Sequence, residues 1–470
     1  MFPRAVVPAI FLCAAILRAE PPEWPQFRGP NCTGIAANAR PPVEFGPEKN
    51  LLWKTPIPGG ASSPVIAGDR IFLTGFEDGK LVVLCVKRSD GGLLWKRPVA
   101  TDGIEPFFQK LGTPAGPSCA TDGERVVSYF GSCGLVCHDL DGNEVWKLKM
   151  PVVQTMDGFG TGNSPIIHEG RVYLTRDEYG EAAGFYCLDV KTGKQIWRTD
   201  RSDVQVCYGT PVIWDGALVT VCDLRVKAYD LATGAERWLA RGIVAYPCTT
   251  AAAGSDGRLY VSTWSNGSGN EPNPDFNELL AKHDKDKDGK LSAAELAGTP
   301  MKDFLVMMDD NKNGALDREE WENIQTYMRT GKNAVLAIQP GGKGDITETH
   351  VAWRNEKGAA YVASPLAFDG RLYLVKDGGF ATCYDTATGR ILFEKQRLPE
   401  AGDYYASPVA AGGHIYVCSG RGSVLVLKPG DKLDVIANHK LGEPIFATPA
   451  FVGNAIYIRT GGHLWAFGTK

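Results

Sequence analysis

The chain has 470 residues, 44% of them hydrophobic, and a formal net charge of -4. That is ample apolar material for a large core, and with no basic cluster anywhere nucleic acid is not expected as a partner. Fifty-five glycines and thirty prolines point to an all-β chain with many turns.

Residues 1–19 read as a secretory signal, with Arg4 ahead of an apolar run over 6–17 and small residues near Ala19 for cleavage. Leu12 before Cys13 is not the small residue a lipid-anchored signal wants. No later apolar run is long enough to cross a membrane. The mature protein is expected to be exported, periplasmic or extracellular, and monomeric. Residues 20–49 form an N-terminal extension opening on Glu23-Trp24-Pro25-Gln26-Phe27-Arg28-Gly29-Pro30.

From residue 50 onward one unit recurs. Its clearest copy spans 163–197: Ser164-Pro165, a strand at Val172 to Thr175, a second with Phe185, Cys187 and Leu188, the turn Asp189-Val190-Lys191-Thr192-Gly193, and a closing Ile196-Trp197. Four short strands joined by tight turns make one antiparallel sheet. Ser-Pro or Thr-Pro opens other copies at Ser63, Thr113, Thr210, Ser364, Ser407 and Thr448, and copy five starts near Thr249-Thr250. Closing tryptophans fall at Trp53, Trp95, Trp146, Trp197, Trp238 and Trp353, the first two 42 residues apart. The regular register of these rings predicts packing between neighbouring sheets.

The last copy has three strands and no fourth, and Leu51-Leu52-Trp53-Lys54 is a fourth strand with no first three. Pairing them predicts an eight-bladed β-propeller closed by its two ends over 50–470, with no exposed sheet edge at the seam. Truncation ahead of Leu51 is expected to be harmless. Cys85, Cys137, Cys187 and Cys383 share one register with Ala228, Ala337 and Ala466, so that position wants a small buried side chain. Cys207 with Cys222, or Cys119 with Cys133, are left open as disulfides.

These residues resemble the pyrroloquinoline-quinone (PQQ)-binding-like, quinoprotein-type repeat, and the Trp24 to Pro30 opening is similar to that of exported members. The resemblance implies a propeller fold; it does not guarantee the cofactor.

Trp238 and Trp353 stand 115 residues apart, so blade five carries an insertion, read as an EF-hand pair over 268–330. Asp284, Asp286, Asp288, Lys290 and Glu295 occupy the ligand positions of a twelve-residue calcium loop, with Gly289 at its sharp turn. Asp309, Asn311, Asn313, Ala315, Asp317 and Glu320 repeat the pattern, with Gly314 at the turn. Calcium wants about seven hard oxygens, which the spacing supplies from side chains, one backbone carbonyl (Lys290, Ala315) and a bidentate glutamate. Calcium ions are the expected metal, more tightly held in the first loop, which has four ligand carboxylates against three. A structural role is favoured over a sensor.

The insertion falls between second and third strands, on the same face as the blade-to-blade connections. Tyr208, Tyr246, Tyr361, Tyr405 and Phe446 precede the Ser/Thr signature at that funnel mouth, with Asp157 and Asn163 nearby, and are the candidate ligand-contacting residues. No catalytic residue is assigned. The favoured reading is a non-catalytic binding or scaffold module for a protein or glycan partner. The alternative is a PQQ-dependent dehydrogenase of alcohols or sugars, which the resemblance implies with a quinone sandwiched against a Trp and a vicinal disulfide; no two cysteines are adjacent here.

Overall fold

The computed structural model describes residues 22–469 except 109–111, 156–158, 180–181, 205, 270–273, 300 and 310. The expected signal segment and Asp157 lie outside the described residues. Among the described residues the strands form eight blade sheets of a β-propeller, each with four antiparallel strands, and a separate two-stranded pair in the insertion; short parallel strands add to blades 4 and 7. Blade 3 is made of Ile166–His168, Arg171–Arg176, Gly184–Asp189 and Gln195–Asp200. Blade 8 joins the two ends: Leu51–Pro56 runs antiparallel to His463–Gly468, with Trp53 opposite Ala466 and Thr55 opposite Leu464. The final strand of blade 7 is regular over Val435–Lys440.

The repeated residues each have a contact that explains them. Trp95, Trp146 and Trp197 lie opposite Cys85, Cys137 and Cys187, and Trp238 lies opposite Ala228. The indole needs a small cross-strand neighbour, which is why cysteine and alanine interchange there. Most of these indoles then reach into the next blade: Trp53 Nε1 donates to Arg88 O, Trp95 to Leu140 O and Trp146 to Val190 O, all at 2.9 Å. The turn glycine of that next blade lies flat on the ring. A Cβ on Gly193, at φ 68°, would sit 2.5 Å from Trp146, so both its backbone and its contact demand glycine. Asp189 Oδ1 holds the turn by accepting the Lys191 and Thr192 amides and the Thr192 hydroxyl.

The Ser/Thr signature forms a closed ring around the axis. The backbone N–H of each ring residue donates to the hydroxyl of the next blade's: Ser63 to Ser118 at 2.8 Å, Ser118 to Ser164 at 3.0 Å, Ser164 to Thr210 at 3.1 Å and Thr210 to Thr250 at 2.9 Å. Thr250 to Ser364, Ser364 to Ser407, Ser407 to Thr448 and Thr448 to Ser63 complete the circuit, each at 3.0 Å. The proline that usually follows brings no N–H to the inner edge, where none could be paired. Blade 2 corrects the sequence reading. Its ring residue is Ser118, followed by Cys119; Thr113 instead caps its own loop, accepting the Ala115 amide.

The N-terminal extension is no loose appendage. It crosses the channel on the face opposite the funnel and bonds to one innermost strand after another. Trp24 bridges Ile66 of blade 1, Pro25 O accepts Thr121 N of blade 2, and Gln26 Oε1 accepts Ile167 N of blade 3. Asn31 pairs twice with Ile213 of blade 4, and Arg28 donates to Pro365 O of blade 6 at 2.6 Å. Ile35–Ala36 adds a parallel strand to blade 7, and Arg40 N donates to Gly453 O of blade 8. Trp24 is 1% and Arg28 0% exposed. The expectation that this segment is dispensable is therefore corrected: removing it exposes the inner strands of seven blades.

No helix among the described residues is long and apolar enough to cross a membrane. Cys119 and Cys133 carry free thiols, with Cys119 Sγ 3.2 Å from Ser128 Oγ. Cys207 and Cys222 share a small cluster with Val204, and Cys207 Sγ accepts the Asp223 amide at 3.1 Å.

Two outcomes follow from these contacts. Ser364→Ala leaves the buried Thr250 amide without a partner and should lower unfolding stability by about 1–3 kcal/mol in urea titrations. Deleting residues 22–49 should leave Leu51–Pro56 able to close blade 8 yet lower the thermal midpoint and promote aggregation, read by scanning calorimetry and size-exclusion chromatography.

Candidate functional site: calcium loops beside the funnel

The insertion leaves blade 5 after Leu259–Thr263 and returns at Ala334–Ile338. It holds three helices: α1 (Phe276–His283), α2 (Met301–Met308) and α3 (Arg318–Thr330). Phe276, Leu279, Leu291, Leu296, Leu305, Met308, Leu316 and Trp321 form a core of their own. Leu291 and Leu316, one from each calcium loop, pair antiparallel, so the two loops couple despite their short spacing. The spacing is absorbed by the exit of the first loop, where turns at 293–299 replace a helix.

Each loop is folded around its own carboxylates. Gly289 and Gly314 sit at φ 80° and 86°, the backbone the sixth position requires. In the first loop Asp284 accepts the Lys287 and Gly289 amides, and Glu295 accepts those of Lys285 and Ser292. Those donors, the Ser292 amide first, hold the Glu295 carboxyl down at about 2, so it is ionised at neutral pH. Oxygens of Asp284, Asp286 and Glu295 lie within 4.8 Å of one another. Asp288 Oδ1 accepts the Lys290 amide, which leaves the Lys290 carbonyl for an ion. The second loop repeats this: Asp309 accepts from Asn313 and Gly314, Asn313 from Ala315, and Glu320 from Asn311 and Asp317. Asp317 caps α3 in a reciprocal box with Glu320. This all-oxygen donor set fits a hard divalent cation, and calcium suits its loop length and ligand number.

Helix α3 ties the calcium loops to the funnel. Its first turn carries Glu320, and it ends against blade 4, where the Tyr327 hydroxyl donates to Asp223 Oδ1 and its ring meets Tyr246 at 5.5 Å. Tyr246 holds a left-handed backbone, φ 55°, a strained conformation fixed by these surroundings. Gly269 N to Gly331 O (2.8 Å) and Ser265 N to Asn333 Oδ1 (2.8 Å) close the base of the insertion.

The five predicted aromatics are all half-buried around this mouth. Tyr405 stacks on Phe446 at 5.7 Å, and Tyr361 meets Trp264 edge-on at 5.4 Å. Tyr208 N donates to Pro247 O, and Asn163 Nδ2 donates to Thr175 Oγ1 and Gly209 O. The structure thus divides the set between a Tyr246 side and a Tyr361–Tyr405–Phe446 side. Sequence reading missed Trp264, Tyr327 and Asp223, which join them; Trp264 and Tyr327 carry the one available signal, aromatics near the two ends of the insertion.

Buried charges line the inner funnel. Arg176 grips Glu178 through two nitrogens at 2.9 and 3.0 Å, and Arg201 grips Asp177 at 2.6 and 2.8 Å. Glu105, 1% exposed, accepts Thr161 Oγ1 at 2.5 Å, and burial pushes its carboxyl up to about 7.

The family described as outer membrane protein assembly factor BamB matches residues 80–241 and 325–463, more than half of the chain. The chain belongs to that family. EF-hand matches cover 276–297 and 301–325. BamB from Moraxella catarrhalis superposes with a TM-score of 0.53 at 14% identity, over 89% of this chain and 98% of that one. The quinohemoprotein alcohol dehydrogenase of Pseudomonas putida gives 0.54 at 12% identity, over 95% and 80%. These likenesses carry the fold alone. The serine/threonine-protein kinase AfsK of Streptomyces griseus is 26% identical over 244 residues, 45% of this chain. The chain spans 28% of that curated relative's length.

Glu105 yields a pH test. Its folded carboxyl titrates above its unfolded value, so the protonated form favours folding and stability is lost as pH rises through about 7. Between pH 5 and 8 this group should cost about 2–3 kcal/mol, and Glu105→Gln should flatten that part of the fall in urea unfolding.

Proposed function

We propose that this protein is an exported, calcium-supported binding propeller whose funnel mouth recognises a protein or glycan partner, with no chemistry of its own. The observation that carries the reading is the docking of α3: a helix rooted in a calcium loop supplies Tyr327 to the funnel wall through Asp223 and Tyr246. The ligands would be Asp284, Asp286, Asp288, the Lys290 carbonyl and Glu295 in the first loop. Asp309, Asn311, Asn313, the Ala315 carbonyl, Asp317 and Glu320 would serve in the second. Bound calcium would neutralise these clustered carboxylates and fix the start of α3. The BamB family assignment supports a protein partner, and export to the periplasm or outside the cell belongs to the same reading.

A PQQ-dependent dehydrogenase is the alternative, supported by the likeness of fold to a quinohemoprotein enzyme. The funnel's residues do not fit the expected quinone sandwich. No two cysteines are adjacent, and the face of Trp264 is covered by Lys376 Nζ, 3.4 Å from the ring centroid. No step through a quinone is derived.

Calorimetric titration of the mature protein should give two calcium sites, the first loop tighter, with Kd on the order of 10⁻⁴ M. Ten millimolar calcium would then raise stability by about 2.7 kcal/mol per site. Deleting residues 268–330 behind a short Gly-Ser bridge should leave a folded propeller with no calcium response. Stoichiometric binding of PQQ in saturating calcium, with dye reduction by alcohols or sugars, would overturn the binding-module reading.

A further inference from the structure

The two ends of helix α3, Arg318–Thr330, answer to different parts of the molecule. Its first turn belongs to the second calcium loop. Asp317 is the N-cap and Glu320 the third helical residue, and each accepts the other's backbone amide. Two carboxylates of that loop's ligand set are thus the same two that start the helix. The first loop reaches α3 sideways, through the Leu291–Leu316 pair, and α1 reaches it through the Arg318 bond to Asn277.

The far end of α3 is set against the connection between blades 4 and 5. Gly331, which caps the helix, packs on bare backbone: a Cβ there would lie 2.9 Å from Ala245 N, Ile243 O and Val244 Cα. Lys332 N donates to Ile243 O at 3.3 Å, beside the contacts of Tyr327 with Asp223 and Tyr246. Two paths run on from here, and both reach Tyr208. Asp223, which accepts the Tyr327 hydroxyl, donates its own amide to Cys207 Sγ at 3.1 Å, one residue before Tyr208. Tyr246 precedes Pro247, whose carbonyl accepts the Tyr208 amide at 3.2 Å. Leu224 N donates to Val244 O at 3.1 Å, which ties the two paths together.

We propose that the second calcium loop regulates the funnel mouth: ligation through Asp317 and Glu320 fixes the start of α3, and α3 in turn braces Tyr246 and Tyr208. This regulation acts on the mouth taken above as the recognition face and rests on that reading for its purpose. Bound calcium supplies the positive charge that holds the oxygens of Asp309, Asp317 and Glu320 together. Without it their carboxylates repel one another and the loop spreads. A thirteen-residue helix is about 20 Å long, so a small tilt at Glu320 becomes a displacement of ångströms at Tyr327. The bond to Asp223 cannot follow such a shift, because hydrogen bonds of this kind are lost beyond about 3.2 Å. Tyr246 keeps φ 55° only while its neighbours hold it, so release of Tyr327 lets that backbone relax and carries Pro247 with it. A calcium role confined to the insertion would tighten the core around Trp321 and leave the propeller as it was.

The experiment is hydrogen exchange read by mass spectrometry on the mature protein, in saturating calcium and in chelator, for wild type, Glu295→Gln, Glu320→Gln and Tyr327→Ala. Calcium should slow exchange at the Tyr208, Asp223 and Leu224 amides by about tenfold. The Phe76 amide of blade 1, which donates to Gly59 O, should be unchanged. Glu320→Gln should abolish the slowing, and Glu295→Gln should keep most of it. Tyr327→Ala should still load calcium in calorimetry yet lose the response at Tyr208. Should that variant fail to fold, Tyr327→Phe keeps the ring, removes the bond to Asp223 and should lose the response at Asp223. Exchange at Tyr208 that ignores calcium while both loops load overturns the proposal, as does an equal loss in Glu295→Gln and Glu320→Gln. Hydrogen exchange needs no partner, so a mouth that binds neither protein nor glycan would end the binding reading and leave this coupling intact.

Discussion

Eight backbone amides, each donating to a hydroxyl on the next blade, form a closed circuit around the axis of this molecule. No blade can satisfy its own ring residue, because the hydroxyl that accepts its N–H belongs to the neighbour. The circuit therefore sets blade spacing at the axis, just as the indole-to-carbonyl bonds of Trp53, Trp95 and Trp146 set it toward the outside. The funnel inherits its wall from the ring. Tyr208, Tyr405 and Phe446 each stand two residues ahead of a ring position, so fixing the ring brings these rings to the mouth.

The two faces of the axis are treated differently. On one, the extension runs over the inner strands of seven blades and seals the channel with Trp24, Gln26, Arg28 and Asn31. On the other, the longest hairpin loop carries the calcium module. Its core is separate from that of the propeller, and its connection is narrow: the base of the insertion and the Tyr327 contacts of α3. A change at Glu320, in the first turn of α3, therefore has a short physical path to Tyr246 and the funnel.

The Trp–Cys/Ala–Gly register was readable in advance because each member recurs at a fixed offset and answers a contact made in every blade. Where the same cue lacked its contact it misled: Thr113-Pro114 has the signature's letters, but Ser118 holds the ring. The extension was misjudged for a related reason. Its residues each bond to a different blade, so no periodicity betrays them, and only Trp24 to Pro30 hinted at a shared role. The calcium loops were legible residue by residue, since their ligands lie within twelve consecutive positions. Tyr327 with Asp223, 104 residues apart, left no such trace.

The sequence by itself determined the repeat, the number of blades, closure by the two ends and the calcium-loop spacing. All of these are local patterns imposed by strand, turn and metal geometry. Only the tertiary structure decided that the extension is a plug, that the Ser/Thr positions close into one ring, and that Tyr327 meets Asp223 and Tyr246. Those arrangements join residues far apart in the chain through single contacts, and a contact made once leaves no period to read.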